Sequence, residues 1–351
     1  MQAWDFLVDR VDLSKTEVRA AGGSGSPTLA DGEVLFEIER FSLTANNITY
    51  GVVGEQLGYW RFFPAPDGWG RIPVWGFARA VASRAADVEE GTRLYGYWPM
   101  SSHFVARFGR SGSGFVDQAE HRAALPAAYN RYEPAPETPQ DDHLALLRPL
   151  FTTSFLLDDY LAEIAPGATA ILSSASSRTA VGLAWMLARR GQPALGLTSP
   201  GNRAFVEGLG LYHRVVTYNE LAGLELGGAV AFVDMAGDAR VRAAVHQRFS
   251  DVLVHSAIVG STHHEARAGD GAPLPGPRPA FFFAPDRLSA RRQDWGAATL
   301  SGRVADSMNS FIAGSEWLKV RHHRGPDALA SVYQAVLAGE ASPAEGHVIL
   351  P

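Results

Sequence analysis

The chain has 351 residues, 46% of them hydrophobic, and a formal net charge of −6 at pH 7. A single hydrophobic core stops growing near roughly 250–300 residues, so this length predicts two domains. The chain has no excess of basic residues, which binding to nucleic acids or anionic membranes would require, so we expect neither as a partner. The absence of cysteine excludes disulfides, thiol catalysis and zinc sites built on sulfur.

The amino-terminal stretch MQAWDFLVDRVDLSKTEVR carries charges where a secretory signal needs an uninterrupted apolar segment. No apolar run approaches the roughly 18 residues of a membrane-spanning helix. We therefore expect a cytoplasmic protein that does not enter a membrane.

Roughly the first 120 residues show the short alternating patterns of β-strands. In GEVLFEIERFSL, which begins at Gly32, apolar Val34, Phe36 and Ile38 alternate with polar residues, as on a strand with one wet face. The β-prone pieces IPVWGFARAVAS, TRLYGYWP and SHFVARF follow, separated by Gly, Pro and Asp turn signals. This part of the chain is predicted to be barrel-like.

The second half has a different pattern. The proline-rich, acidic segment from Ala124 to Gln140 is predicted to connect two domains. Beyond Pro166, GATAILSSAS is a strand that runs into a polar turn, RTAVGLAWMLARRG is a helix that ends at Gly191, and PALGLTS is a second strand. The apolar strands GAVAFVDMAG and DVLVHSAIVGS alternate with helices, which predicts a parallel sheet covered on both faces.

The turn between the first strand and helix of this βαβ unit is a candidate phosphate site. It lies where a dinucleotide fold places pyrophosphate against a helix N-terminus, whose N–H groups and dipole favour anions. Hydroxyl groups can bind phosphate oxygens there, although they can equally cap the helix without any ligand. The candidate residues are Ser173, Ser174, Ser176, Ser177, Arg178 and Thr179.

The end of the second strand indicates which nucleotide is bound. An NAD-type fold needs an acidic residue there to hold the ribose hydroxyls. Here the strand is followed by Ser199, Asn202 and Arg203, a hydroxyl, an amide and a cation that suit the 2′-phosphate of NADP(H). Ser199 and Asn202 can also cap the next helix. Tyr218, the last residue of the short predicted strand YHRVVTY, joins the candidate cofactor-binding residues.

Sites of other kinds are disfavoured. The sequence contains neither the G-x-S-x-G elbow of α/β-hydrolases nor the P-loop of NTPases. Adjacent residues on a strand face opposite sides, so the two pairs of neighbouring histidines do not chelate a metal easily. No metal site is predicted at these pairs, His263/His264 and His322/His323.

The order of these segments resembles the medium-chain dehydrogenase/reductase superfamily, in particular its zinc-free quinone oxidoreductase and enoyl reductase branch. GEVLFEIERFSLTANNITYGVVG looks like the early strand and active-site loop of that branch, and PGATAILSSASSRTAVGLAWMLARRG looks like the start of its cofactor-binding half. The serine-rich turn in place of glycines is similar to the uncharacterised DUF2855-type subgroup.

The resemblance implies an α/β fold with a GroES-like β-barrel-type domain and a Rossmann-like, doubly wound parallel-sheet domain. It places the GroES-like substrate domain at 1–146, the NADP-binding domain at 147–314 and a return to the first domain at 315–351. It also implies a homodimer that pairs Rossmann sheets edge to edge, with Ala280–Phe283 as the candidate edge.

The same resemblance implies the residues that act on the substrate. A tyrosine after the early strand of this branch donates a proton or hydrogen bond to the substrate, and Tyr50 in NNITYG is the match, with Asn47 beside it. Tyr59 is the second candidate, because some enoyl reductases carry this tyrosine later. Gly260 and Phe283 are expected near the nicotinamide.

The expected function is therefore zinc-independent hydride transfer from NADPH to a small conjugated carbonyl compound, such as an enone, a quinone or an enoyl thioester. The alternative is a cofactor-free binding or sensing protein that keeps the fold, with the serine turn satisfied by its own hydrogen bonds. A third hypothesis, a non-redox lyase or isomerase acting on acyl thioesters, predicts activity without NADPH.

Overall fold

The computed structural model describes residues 3–21, 27–259 and 273–351 of the chain. It has two compact units: the first consists of Met1–Leu146 with Leu318–Pro351, and the second of Leu147–Trp317. No helix in these described ranges is long and apolar enough to cross a membrane.

The helices and strands follow in chain order. The first are β1 (Trp4–Asp9), β2 (Thr16–Ala20), β3 (Glu33–Leu43), α1 (Ala45–Val52), β4 (Trp69–Gly70), β5 (Pro73–Ser83), β6 (Arg93–Pro99), β7 (His103–Ser111), β8 (Gly114–Asp117) and β9 (Arg131–Pro134). Next are α2 (Asp141–Ile164), β10 (Thr169–Leu172), α3 (Arg178–Arg189), β11 (Ala194–Thr198), α4 (Arg203–Gly208), β12 (Arg214–Thr217), β13 (Val230–Asp234), α5 (Ala239–Phe249), β14 (Leu253–Ile258) and β15 (Ala280–Phe281). The last are α6 (Ala284–Trp295), α7 (Ala297–Ala313), β16 (Lys319–Arg324), α8 (Gly325–Leu337) and β17 (Glu345–Leu350).

A closed ring of strands forms the centre of the first unit. The strands pair in the order β3-β5-β6-β9-β8-β7, and β7 returns to pair with β3, while β17 and β16 extend the sheet beyond β3. Val34, Phe36 and Ile38 of β3 are buried and Glu37 is exposed, because alternate side chains of a strand point to opposite faces. The barrel-like prediction for this part of the chain is confirmed.

Two segments of the first unit differ from the sequence-based expectation. The segment after β3, predicted as a loop, is the helix α1, because Thr44 and Asn47 cap its first turn reciprocally. The segment from Ala124 to Gln140, predicted as a connector, contributes β9, which pairs with β6 and β8. Tyr132 of β9 is fully buried, so packing of this side chain draws the proline-rich segment into the barrel.

The second unit is built on a parallel sheet. Its strands lie in the order β12-β11-β10-β13-β14-β15, and every neighbouring pair is parallel. In this doubly wound order, β11 and β12 lie on one side of β10, and β13, β14 and β15 lie on its other side. The strand order therefore reverses between β10 and β13. The predicted Rossmann-like sheet is confirmed. Dimerisation at its edge strand β15 stays a prediction.

A close helix contact fixes α3 behind the candidate phosphate turn. A Cβ atom on Gly182 of α3 would lie 2.7 Å from Ser154 Oγ of α2, so glycine permits the approach. The Ser154 hydroxyl donates to the Thr179 carbonyl at 2.8 Å, which ties the first turn of α3 to α2. The N-terminus of α3 is thereby held in place.

Candidate functional site

The turn after β10 is anchored by a buried serine. Ser173 Oγ donates to Asp234 Oδ1 at 3.0 Å and accepts from the backbone N–H groups of Met235 and Ala236. These bonds join the ends of β10 and β13 at the point where the strand order reverses. Ser173 is fully buried, so we assign its hydroxyl to the structure of the turn rather than to phosphate.

Ser174 gives the turn its shape. Its φ of 46° lies in the left-handed region, and it is the sole non-glycine residue of the described ranges with a positive φ. A glycine normally stands at such a position because a Cβ atom is unfavourable there. The Ser174 N–H donates to the Tyr218 hydroxyl at 2.9 Å. The tight turn of a dinucleotide fold is therefore kept without its glycine.

The remaining side chains of the turn lie at the start of α3. Ser177 Oγ accepts from the Ala180 N–H at 3.3 Å and caps the helix, as the alternative interpretation of the turn predicted. Ser176 Oγ accepts from Asn202 Nδ2 at 3.1 Å. Arg178 is half-buried, and desolvation lowers the pKa of its guanidinium to about 10, so it stays charged at neutral pH. The Thr179 carbonyl accepts a hydrogen bond from the Ser154 hydroxyl of α2.

Arg203, the cation predicted to meet the 2′-phosphate, is paired with two carboxylates. Its Nε donates to Glu207 at 2.9 Å, and its Nη1 donates to Glu220 at 2.9 and 3.1 Å. The Thr217 N–H and hydroxyl also donate to Glu220, at 2.7 and 2.9 Å. The Thr217 N–H and then the Arg203 guanidinium hold the pKa of Glu220 down to about 2.

The structure brings most of the predicted cofactor residues to one edge of the sheet. Ser174 contacts Tyr218 and Ser176 contacts Asn202, so the loops after β10, β11 and β12 touch one another. The carboxyl ends of parallel strands meet at one edge, which is where open α/β sheets bind ligands. Ser199 is half-buried after β11.

Of the two residues predicted near the nicotinamide, the structure describes Phe283. Phe283 follows β15, is half-buried, and stacks on Phe281 with ring centroids 6.1 Å apart. It precedes α6 directly. Gly260 lies outside the described residues, as do His263 and His264, so their predictions are not tested.

Asp234 and Arg242 were missed by the reasoning from sequence. Asp234 is fully buried at the end of β13, and its Oδ2 accepts from Arg242 Nη1 at 2.8 Å. Its Oδ1 accepts from the Gly237 N–H at 3.0 Å, besides the bond from Ser173. The aspartate that ends the apolar run GAVAFVD was the available signal, since a charged group at the end of a buried strand needs partners.

Tyr50 lies in a cluster of aromatic side chains inside the first unit. Tyr50 and Tyr59 are both buried, with ring centroids 4.5 Å apart. The Tyr59 and Tyr129 hydroxyl oxygens are 3.3 Å apart, and Trp75 Nε1 donates to the Tyr50 hydroxyl at 3.4 Å. Burial, and secondly the neighbouring tyrosines, raises the pKa of both Tyr50 and Tyr59 above 10.0. Both phenols are therefore protonated at neutral pH and can donate.

Both polar atoms of the Asn47 side chain form hydrogen bonds with backbone groups. Its Oδ1 accepts from the Thr44 N–H at 2.8 Å, and its Nδ2 donates to the Pro73 carbonyl at 3.0 Å. Asn47 is only 2% exposed. We therefore assign it a positioning role, in which it fixes the start of α1 and so the place of Tyr50.

The histidines of β16 make contacts within the first unit. His322 Nε2 lies 2.7 Å from Asp142 Oδ2, and His323 Nε2 lies 3.1 Å from His347 Nδ1. Within the part of the chain that the structure describes, no group of three or more His, Asp or Glu side chains is arranged to hold a metal ion.

Solved structures with this fold share its architecture from end to end. CurA from Vibrio vulnificus, solved in complex with NADPH, has a TM-score of 0.62 at 14% identity, over 95% of this chain and 94% of that chain. The quinone oxidoreductase from Coxiella burnetii has a TM-score of 0.60 at 14% identity, over 100% of both chains. The yhdH oxidoreductase from Salmonella enterica, in complex with NADP, has a TM-score of 0.56 at 16% identity, over 100% of both chains.

At these identities the likeness is one of fold, a GroES-like unit combined with a Rossmann-like unit. No relative among curated proteins matches the sequence. The family described as "Protein of unknown function (DUF2855)" matches residues 41–342. The chain belongs to this family, which confirms the subgroup indicated by its serine-rich turn.

Proposed function

We propose that this chain is a zinc-independent, NADP(H)-dependent oxidoreductase that reduces a conjugated carbonyl compound. The observation that carries the proposal is the meeting of Ser174, Ser176, Asn202 and Tyr218 at the carboxyl edge of the parallel sheet. No carboxylate occurs among residues 198–203, which directly end and follow β11, so the usual ribose ligand of NAD is missing there. Two similar folds were solved with NADPH or NADP, which supports the same cofactor here.

The residues present fit such a nucleotide. The N-terminus of α3, with the positive end of the helix dipole, and the half-buried Arg178 beside it suit pyrophosphate. Ser199, Asn202 and Arg203 would face the 2′-phosphate. The left-handed backbone at Ser174 supplies the turn that the pyrophosphate needs. When bound, the cofactor would supply a hydride to the β-carbon of the acceptor.

Tyr50 would supply the proton that completes the reduction. Its phenol is protonated at neutral pH, as a tyrosine with the ordinary pKa of 10.0 already is, and burial raises this pKa further. Trp75 donates to its oxygen, so the phenolic hydrogen is left to donate and the resulting phenolate keeps a hydrogen bond. The surrounding aromatic rings exclude water, which strengthens these hydrogen bonds.

The alternative, a cofactor-free binding or sensing protein, is favoured by one specific observation. The Ser174 N–H, the Ser176 hydroxyl and the Arg203 guanidinium all have partners within the chain. A nucleotide would have to compete for these groups. Binding of NADPH to the purified protein therefore decides between the two functions.

Arg203→Ala is expected to weaken NADPH binding about tenfold and to leave NADH binding unchanged, because only NADPH carries the 2′-phosphate. Titration of each nucleotide, followed by quenching of tryptophan fluorescence, measures both affinities. Arg240→Ala is the matched control, since Arg240 is 94% exposed in the same unit. Failure of the unsubstituted protein to bind either nucleotide at millimolar concentration would contradict the reductase function.

Tyr50→Phe is expected to lower turnover about 100-fold without changing the affinity for NADPH, because it removes a general acid and no cofactor contact. The measurement is the loss of NADPH absorbance with benzoquinone or an enone as acceptor. Tyr59→Phe is the comparison, since Tyr59 lies in the same cluster. A larger loss of turnover in Tyr59→Phe than in Tyr50→Phe would show that Tyr59 is the proton donor. Full turnover in both variants would show that neither tyrosine is the proton donor.

A further inference from the structure

The strongest unexplained feature near the candidate cofactor site is the pairing of Arg203. A cation that is to bind a 2′-phosphate already has Glu207 and Glu220 as partners. We propose that Glu220 is a specificity-determining residue, which competes with the 2′-phosphate for Arg203 and so lowers the preference for NADPH over NADH. This inference rests on the proposed binding of NADP(H).

Glu220 is held in place, whereas Glu207 is not. Glu220 Oε2 accepts from the Thr217 N–H and from the Thr217 hydroxyl. The Thr217 side chain also accepts from the Glu220 N–H, which completes a capping box at the start of the 3-10 helix Tyr218–Gly223. Glu207 is paired to Arg203 only along α4, at the i,i+4 spacing of an exposed helix pair. Such exposed pairs contribute little because both side chains must be ordered. The carboxylate that a ligand cannot simply displace is therefore Glu220.

The pair is also open to a ligand. The side chains of Arg203 and Glu220 are 41% and 47% exposed. A cavity of about 420 Å³ beside them is lined by both residues and by Arg214 and Asn219. A phosphate that reaches Arg203 from this side meets the fixed negative charge of Glu220 within hydrogen-bond range of the same guanidinium.

The charge on Glu220 persists over the physiological pH range. The Thr217 N–H and the Arg203 guanidinium hold its pKa down to about 2, so mild acid does not relieve the competition. Like charges that share one cation repel each other, and the repulsion falls with added salt because the site is exposed. A nucleotide without the 2′-phosphate does not experience this repulsion.

The test uses two probes that differ only in the 2′-phosphate, 2′,5′-ADP and 5′-AMP, with calorimetry on the full chain. Glu220→Gln is expected to bind 2′,5′-ADP about tenfold more tightly and 5′-AMP unchanged. The glutamine oxygen still accepts from Thr217, so the cap is retained. Glu207→Gln, the matched control, is expected to change either affinity less than twofold. In the background of Arg203→Ala, the gain from Glu220→Gln should disappear.

The outcomes separate this inference from the function on which it rests. Unchanged or weaker binding of 2′,5′-ADP by Glu220→Gln, with NADPH still bound by the unsubstituted chain, overturns the role of Glu220 alone. Absence of NADPH binding in every variant overturns the proposed function and the inference together. A gain that survives in Arg203→Ala also overturns the inference, because the competition would not act through Arg203.

Discussion

Arg122→Met is expected to lower the free energy of unfolding of the first unit by about 3–5 kcal/mol. Arg122 Nη1 lies 3.2 Å from Asp117 Oδ2, and the two side chains are 0% and 2% exposed. The guanidinium also donates to the Phe62 carbonyl at 3.0 Å and to the Tyr132 hydroxyl at 2.8 Å. Methionine fills a similar volume but leaves the Asp117 carboxylate buried without its counter-charge, which is the costly half of such a pair.

The measurement is urea denaturation, with hydrogen exchange of β7, β8 and β9 to assign the loss to this unit. The matched control is Arg84→Met, because the Arg84–Asp31 pair is 56% and 89% exposed. It should change the free energy of unfolding by less than about 1 kcal/mol. A similar small change in Arg122→Met would contradict this prediction, because loss of the counter-charge of Asp117 would then cost little.

Asp234→Asn is expected to lower the free energy of unfolding of the second unit by about 3 kcal/mol. The substitution removes the charge that pairs with Arg242 and weakens the bonds from Ser173 and the Gly237 N–H. Asp234 is fully buried, so water does not replace these partners. Hydrogen exchange of the β10 and β13 amides, followed along a urea titration, measures the decrease in the free energy of unfolding of the second unit.

Asp238→Asn provides the control for this substitution, four positions further along the chain. Asp238 caps α5 by accepting from the N–H groups of Arg240 and Val241. Asparagine caps a helix about as well as aspartate, so we expect a change of less than about 0.5 kcal/mol. Equal losses in the two variants would mean that the buried network at the end of β13 contributes nothing beyond an ordinary cap.

The fold was predictable because its signals are local. Alternation in GEVLFEIERFSL marks one buried face of β3, and the apolar runs at β10, β11 and β13 mark strands covered on both faces. The helix α1 was missed although Thr44 and Asn47 are three residues apart, because the capping box was not recognised there. The strand β9 was missed because its pairing with β6 and β8 and the burial of Tyr132 do not show as an apolar alternation in its proline-rich segment.

The candidate site was predictable in its location but not in its contacts. Ser173 meets Asp234 across 61 residues, and Tyr59 meets Tyr129 across 70. Even the closer pairing of Arg203 with Glu220, 17 residues away, depends on how two loops meet at the sheet edge. Residue types at strand ends indicate which ligand is suited. They do not show which of those groups already form hydrogen bonds or ion pairs with other residues of the chain.

The path of the chain has a consequence for its biosynthesis. The second unit is continuous in sequence and is complete once residue 317 has been made, whereas β16 and β17 of the first unit come last. Tyr333 of α8 also returns to the amino-terminal part, where its hydroxyl donates to the Leu13 carbonyl at 2.9 Å. Domains generally fold as units as they leave the ribosome. The first unit, although its strand ring is synthesised first, therefore receives β16, α8 and β17 only after the whole second unit has been made.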